Sequence, residues 1–255
     1  MADPVFELKS VSVSHGDQPV LSHLNLQLPA GRWTCVVGPN GVGKSTLLQA
    51  MAGLHPVQGE LRFEGQALAS MDASCRAKAL AWMGQVRDDD AEWTVDELAM
   101  LGRLPHLQGW RLTGPHDRKV VDQVLAALKL QAMAHRPLGH LSAGQQQRAR
   151  LARLLCTQAH VLLMDEPVTH LDAPHQADWL NWAKAWVSQG HTLVSVLHEL
   201  PLAMQADHLV VLHQGTCLHQ GVPSDARTRE AIEQALGQRI HWVHADGQWL
   251  CAWRL

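Results

Sequence analysis

Apolar and polar residues alternate over two stretches near the N-terminus, 5–13 and 20–28. A period of two is typical of half-buried strands, so we expect two neighbouring strands joined by a turn at His15-Gly16-Asp17-Gln18. Shorter apolar runs predict further strands at 33–37, 59–63, 80–84, 161–164, 192–197 and 208–212. Buried parallel strands have this continuous apolar character.

Helical periodicity replaces this pattern between about 92 and 157. It predicts helices over 94–101, 120–130 and 143–155, with others at 174–188 and near 228–236. A final hairpin is expected to close at Asp246-Gly247. Alternating strands and helices on both sides of an all-helical insert indicate an α/β fold.

We expect one domain over residues 1–255. Its core, which includes an antiparallel β subdomain at the N-terminus, comprises about 1–86 and 158–222. The helical subdomain comprises about 87–157, and 223–255 form a C-terminal extension.

Composition narrows the function classes. The chain has 21 Lys and Arg against 24 Asp and Glu, a net charge of −3, so we expect no nucleic-acid partner bound through bulk charge. Its five cysteines show no CxxC spacing, which favours free buried thiols over a disulfide framework. We also expect neither a leader peptide nor a membrane-spanning helix, since no sufficiently long apolar segment is present.

The segment after the strand at 33–37 carries the strongest chemical motif. Residues 38–46, named here the phosphate loop, fit G-x-x-x-x-G-K-[ST]. Its glycines let backbone N–H groups turn toward an anion, and the following helix adds its positive end. The nucleotide-binding residues expected here are Gly38, Pro39, Asn40, Gly41, Gly43, Lys44, Ser45 and Thr46. Lys44 is expected at the β- and γ-phosphates, and Ser45 at Mg²⁺.

Two adjacent acids, Asp165 and Glu166, end the apolar strand 161–164. Carboxylates at the end of a buried strand are costly unless they meet a cation or a polar site. We expect Asp165 to hold Mg²⁺ and Glu166 to act as the general base for water.

The segment 141–148, Leu-Ser-Ala-Gly-Gln-Gln-Gln-Arg, is named here the signature segment. Ser142 with Gln145 three residues later is a capping-box arrangement, which predicts a helix start with its positive end directed outward. An ordinary helix start is the alternative interpretation.

The signature segment resembles the LSGGQ motif of ATP-binding-cassette (ABC) ATPases, with Ala143 in place of a glycine. The other family elements appear in the expected order along the chain, and the resemblance covers roughly residues 3–222. Gln85 resembles the Q-loop glutamine, Thr169-His170-Leu171-Asp172 the D-loop, and His198 the switch histidine. The resemblance implies a P-loop NTPase core of RecA type.

The resemblance also implies a mechanism. Two copies close head to tail around two ATP molecules, and Ser142 and Gly144 contact the γ-phosphate held by the opposite copy. Gln145 and Asp172 are also expected among the ATP-binding residues. The resemblance places His198 at the same γ-phosphate as Glu166, and gives Gln85 a catalytic role in which it links Mg²⁺ to the helical insert. Hydrolysis then opens the dimer and moves a membrane permease, so the chain is expected at the cytoplasmic face of the membrane.

The family often carries a tyrosine that stacks on adenine where this chain has His15. The chain contains no Tyr. An imidazole that stacks on adenine and a solvated turn histidine are the two interpretations of His15.

The stretch Thr94 to His106 resembles importers of iron–siderophore, haem and vitamin B12 complexes, which also use an external binding protein. One alternative is a soluble ABC ATPase in iron–sulfur biogenesis or translation. Another is a nucleotide-binding module without turnover, which the presence of Lys44, Asp165, Glu166 and His198 disfavours.

Overall fold

The structure is a computed structural model that describes residues 3–84, 91–107, 112–169, 171–245 and 248–254. Its helices are α1 Lys44–Met51, α2 Ala73–Ala79, α3 Val95–Leu101, α4 Pro115–Ala127, α5 Ala143–Cys156, α6 Ala173–Ser188, α7 Leu200–Ala203 and α8 Ala226–Ala235. Its strands are β1 Pro4–His15, β2 Gln18–Pro29, β3 Trp33–Val37, β4 Gln58–Phe63, β5 Gln66–Ala67, β6 Leu80–Met83, β7 Val161–Asp165, β8 Thr192–Val196, β9 His208–His213, β10 Thr216–Gly221, β11 Ile240–Ala245 and β12 Gln248–Trp253.

The chain divides into two compact units. The first comprises Met1–Met71, Met164–Glu166 and Trp182–Leu255, and the second comprises Asp72–Leu163 and Pro167–Asn181. The functional subdomain bounds expected from the sequence stay a prediction.

The first unit contains an antiparallel sheet in the order β2-β1-β4-β5. It also contains the order β10-β9-β3-β8, in which β3 pairs in parallel with both β8 and β9. The end of β7 belongs to this unit, where the Glu166 amide donates to Val196 O at 3.1 Å. Because β3 and β8 are parallel, the segments that follow them leave the sheet at the same edge, which is where α/β folds bind ligands.

The core of the first unit is built on these buried strands. Trp33 is 1% exposed, and its indole N–H donates to Ser195 Oγ at 2.9 Å, which satisfies the one polar atom of that ring.

The second unit is mainly helical. Its core is formed by apolar faces of α3, α4 and α5, with contributions from 130–141. This unit also contains β6, which is hydrogen-bonded to β7, and residues 161–163 of β7. Among the described helices, none combines the length and apolar character that crossing a bilayer needs.

One helix prediction was wrong in its bounds. The helix expected over 120–130 is α4, which begins at Pro115 and ends at Ala127. Pro115 is suited to the first turn, and the carboxylate of Asp117 accepts from the Gly114 amide at 2.9 Å, so the helix starts early. It stops because Lys129 has a left-handed backbone, with φ of 56°.

Other differences are smaller. His15 and Gln18 belong to the paired ends of β1 and β2, so the turn is only Gly16-Asp17. Among the described helices and strands, the sequence patterns missed α2, α7, β5 and β10. The C-terminal hairpin is confirmed by the pairing of Ala245 with Gln248, while Asp246 and Gly247 lie outside the described residues.

Candidate functional site

The phosphate loop connects β3 to α1 within the first unit. Gly43 precedes the helix with φ of 103°, and a Cβ there would lie 2.5 Å from Leu21 Cδ2, so both backbone and space require glycine. Gly38 has no room either, because an added Cβ would lie 2.4 Å from Leu212 O. Asn40 and Gly41 are exposed, and Pro39 is half-buried.

Lys44 folds back over this loop. Its ammonium donates to Gly38 O at 2.8 Å and to Pro39 O at 2.9 Å. Burial lowers the pKa of Lys44, while the nearby carboxylates of Glu166 and Asp165 act in the opposite direction. The phosphate loop therefore holds a buried cation at the start of α1.

Asp165 lies at the end of β7 and is 3% exposed. Its pKa is raised, first by burial and also by the charge of Glu166, while a hydrogen bond donated by the Ser45 hydroxyl lowers it. Asp165 Oδ1 is buried and has no hydrogen-bond partner among the described residues. Such an oxygen is costly to bury unless a cation or donor completes it.

Glu166 and His198 meet in the same unit. His198 Nε2 lies 2.7 Å from Glu166 Oε1, so a proton on that nitrogen is donated to the carboxylate. Glu166 has φ of 52°, a left-handed conformation that costs a non-glycine residue about 1 kcal/mol. The sequence separation of 32 residues hides this contact, and the parallel sheet creates it.

His15 is exposed at the end of β1. Its Nε2 lies 3.3 Å from Thr46 Oγ1 in α1, and its Nδ1 lies 3.2 Å from His55 Nε2. The two imidazoles form an edge-to-face pair with centroids 4.6 Å apart. Sequence reasoning missed His55, which has no motif of its own.

The signature segment lies in the second unit and forms the predicted capping box. The Gln145 amide lies 3.4 Å from Ser142 Oγ, and the Ser142 amide donates to Gln145 Oε1 at 3.0 Å. Gly144 is buried, and Asp172 lies just before α6 with its side chain 65% exposed. Gln85 and His170 fall outside the described residues, so the structure says nothing about them.

The stretch that follows α3 is anchored by a residue that sequence reasoning left unexplained. Arg103 is 1% exposed and donates to Asp117 Oδ1, Cys156 O and Gln158 Oε1 at 2.9, 2.7 and 2.9 Å. Gly102 packs against α5, because a Cβ there would lie 2.1 Å from Arg153 O.

Comparison with known proteins places this chain in a family. The family described as ABC transporter matches residues 21–169, more than half of the chain. The chain is 34% identical over 240 residues to the petrobactin import ATP-binding protein FpuC of Bacillus anthracis, covering 92% of this chain and 88% of that protein. It is 38% identical over 227 residues to the hemin import ATP-binding protein HmuV of Gloeobacter violaceus, covering 86% and 82%.

Solved structures agree on the fold. An ABC transporter of metal-chelate type, in an inward-facing conformation, matches with a TM-score of 0.81 at 23% identity. The match covers 98% of this chain and 96% of that chain, and at this identity it shows the fold alone. The predicted α/β architecture of an ABC cassette is thereby confirmed. The chain belongs to the ABC transporter family, within which it is an ATP-binding subunit and an ATPase.

Proposed function

We propose that this ATPase is the motor subunit of an importer for a metal chelate, and that its hydrolytic centre is built from the residues gathered at the edge of the first unit. The observation that carries the site is the buried, unpartnered Asp165 Oδ1 beside Ser45 and Lys44. The roles of these residues follow from their chemistry.

Lys44 binds the β- and γ-phosphates, exchanging its bonds to loop carbonyls for bonds to phosphate oxygens. Glu166 accepts a proton as water attacks the γ-phosphorus, and the bond to the bridging oxygen of ADP breaks. His198 donates to Glu166 and holds that carboxylate in one orientation. We also propose, from the family resemblance, that His198 contacts the γ-phosphate.

The residues present fit Mg²⁺. Ser45 and Asp165 offer oxygen atoms, the ligands that Mg²⁺ prefers. Asp165 Oδ1 is buried and accepts no hydrogen bond from the described residues, so it is available to a cation. When bound, Mg²⁺ neutralises charge on the phosphates. Gln85 is proposed as a further ligand on the family resemblance alone.

Glu166→Gln tests the hydrolytic centre. Loss of the base should lower hydrolysis about 1000-fold while ATP binding persists, because an amide still forms hydrogen bonds but accepts no proton. The variant should also trap an ATP-bound dimer in gel filtration. Glu230→Gln, the same change at an exposed residue, is the control. Normal turnover by Glu166→Gln would overturn the assignment of the base.

We further propose a head-to-tail dimer in which Ser142, Gly144, Gln145 and Asp172 act on ATP held by the other copy. The start of α5, where Ser142 is exposed, supplies a positive helix end for the γ-phosphate. Ser142→Arg should then stop hydrolysis although its own phosphate loop is intact. Mixing it with Lys44→Ala should restore at most one working site per mixed dimer. Normal hydrolysis by Ser142→Arg alone would contradict the composite site.

The cargo proposal rests on the named relatives and on Thr94 to His106. Arg103 and Gly102 hold this stretch against α5, and Leu104 is left 58% exposed. An exposed leucine on a rigidly anchored turn suits contact with a membrane partner. We propose that a permease docks here, that the chain lies peripherally at the cytoplasmic face, and that an external binding protein delivers a ferric siderophore, haem or cobalamin.

The docking test uses Leu104→Glu in the complex reconstituted with its membrane partner. Transport should fall more than basal ATP hydrolysis, because a carboxylate replaces an apolar contact. Leu101 is a poorer target, since it packs against the core of the second unit. Leu112→Glu is the matched control, at a residue 92% exposed in the same unit. Equal loss of transport in both variants would contradict docking at this stretch.

The cargo itself is tested by stimulation of ATPase activity. The reconstituted complex is mixed with binding proteins that carry chelates, amino acids or sugars. The ATPase rate should rise when the binding protein carries a chelate. Stimulation by another class, with none by any chelate, would refute the cargo and leave the motor intact. Failure to associate with any membrane protein would favour a soluble ABC ATPase.

A further inference from the structure

His175, in the first turn of α6, contacts the carboxylate of Asp172. Asp172 Oδ1 accepts from the His175 amide at 3.2 Å, and the same oxygen also contacts His175 Nδ1. The pKa of Asp172 is lowered, and its largest cause is this side-chain hydrogen bond. An exposed carboxylate on a loop is thus held in one orientation.

The other edge of the same imidazole lies against the signature segment. A Cβ added to Gly144 would lie 2.7 Å from His175 Cδ2 and 2.8 Å from its Nε2. Gly144 is helical here, so space rather than backbone conformation excludes a side chain. The imidazole cannot withdraw freely, because its Nδ1 is held by Asp172.

A second bond ties the same two segments together. The Gln147 side-chain amide on α5 donates to Pro167 O, at the start of the segment that leads to Asp172. All of these residues belong to the second unit. The start of α5 is therefore connected separately to Pro167 and to His175.

The contact with Asp172 indicates which nitrogen of the His175 imidazole carries the proton. Nδ1 faces a carboxylate, so it carries the proton and donates. An amide nitrogen of asparagine occupies nearly the same place as Nδ1 and also donates, whereas alanine does neither. This makes His175→Asn the conservative variant.

We propose that His175 is a positioning residue, which couples the carboxylate of Asp172 to the start of α5 at Gly144. This inference rests on the proposed head-to-tail dimer. In that dimer, the coupling presents both groups to the opposite copy's nucleotide as one rigid piece. His175 itself touches no reacting atom.

The main experiment is a double-mutant cycle on the full chain. Gly144→Ala should lower kcat about tenfold, because the new methyl displaces the imidazole and with it Asp172. His175→Ala should lower kcat about threefold, and the double variant should be no slower than Gly144→Ala alone. Multiplicative effects, with the double variant about thirtyfold slow, would overturn the coupling.

Rescue separates positioning from simple stability. His175→Asn should recover kcat to within about twofold of wild type, since the donor to Asp172 is restored. Affinity of the isolated subunit for ATP should stay unchanged throughout, because the phosphate loop lies in the first unit. His135→Ala, the same substitution at an exposed residue of the second unit, is the control. Equal kcat for His175→Ala and wild type, or no recovery with asparagine, would refute the role.

Measuring Ser142→Arg in parallel distinguishes the proposed composite site from the positioning role of His175. If Ser142→Arg is inactive and the His175 cycle is multiplicative, only the positioning role fails. If Ser142→Arg hydrolyses ATP normally, the composite site fails, and the positioning role falls with it.

Discussion

The proposed function assigns ATP binding to two helix starts, those of α1 and α5, and these differ in their caps. Helix α1 begins after Gly43 with no side-chain cap. Helix α5 begins after Ser142 with a complete capping box, in which Ser142 and Gln145 satisfy each other's amides. The first N–H groups of any helix lack partners inside it, so α1 leaves them to a ligand while α5 partly satisfies its own.

We propose that this difference separates ATP affinity, which depends on α1, from turnover, which depends on α5. An uncapped helix start beside the ammonium of Lys44 is prepared for a phosphate before any partner arrives. A capped start is stable by itself, which agrees with the proposal that the site at α5 is completed only when two copies close. The phosphate loop should therefore determine affinity in the isolated subunit, and the signature segment should act in turnover.

The strongest test of this difference compares Lys44→Ala with Ser142→Ala. Lys44→Ala should weaken ATP binding to the isolated subunit about 100-fold, since it removes a charge-assisted contact worth nearly 3 kcal/mol. Ser142→Ala should change that affinity less than about twofold, because a serine cap lies outside the primary site. Isothermal calorimetry measures both, with Lys184→Ala as the exposed control. Similar losses of ATP affinity in both variants would show that the two helix starts contribute equally to binding, and would contradict this comparison.

Folding stability should rank the two helix starts in the same order. Gly43→Ala should cost about 2 kcal/mol, from its positive φ and the contact with Leu21. Ser142→Ala should cost about 1 kcal/mol, the usual value of an N-cap. Gly41→Ala provides the control, since its φ is positive at 75° but its Cβ position is open. Urea unfolding that gives Gly41→Ala the larger loss would contradict the steric argument.

Asp165→Asn should stabilise the metal-free protein. Burial raises the pKa of Asp165 above its unfolded value, so holding the ionised carboxylate costs stability above the folded pKa. Below the unfolded pKa the group is protonated in both states and the cost disappears. At pH 7 the variant should gain about 1 kcal/mol in urea unfolding, the lower range for an unpartnered buried group.

The gain should shrink toward about pH 3. Mg²⁺ with ATP should reverse the order, because only the wild type keeps the carboxylate. Asp178→Asn, at an exposed residue, should show neither effect. A loss of stability in Asp165→Asn at pH 7 would contradict the proposed electrostatic cost.

The smallest effect is expected at His15. If its imidazole stacks on adenine, His15→Ala should weaken ATP binding about fivefold, the lower range for base stacking, and His15→Trp should bind as tightly or more tightly. His55→Ala should weaken binding about twofold, because the edge-to-face ring that orients His15 is lost. His135→Ala is the control. Equal affinity for His, Ala and Trp at this position would make His15 a solvated turn residue.

Much of the fold could be predicted from sequence, and the misses have local causes. The strand cores and the helices at 143–155 and 174–188 followed from apolar periodicity. The end of α4 depended on one left-handed residue, Lys129, which hydrophobic pattern does not register. Strand β10 was missed because its residues are mostly half-buried, which removes the alternation.

Some residues of the candidate site could likewise be predicted from the sequence, and others could not. The phosphate loop, the acid pair Asp165-Glu166 and the capping box could all be predicted, because each is a short contiguous pattern. The roles of His55, Arg103 and His175 could not, since none of them lies in a motif that specifies its partner.

What the sequence by itself determined is therefore the local chemistry. Glycine spacing shapes a phosphate loop within nine residues, and Ser142 meets Gln145 across one helical turn. Only the tertiary structure decided that His198 reaches Glu166 and that the imidazole of His175 fills the space beside Gly144. The physical reason is range: backbone geometry enforces the first kind of contact, whereas the second depends on strand register and helix packing between segments far apart in the chain.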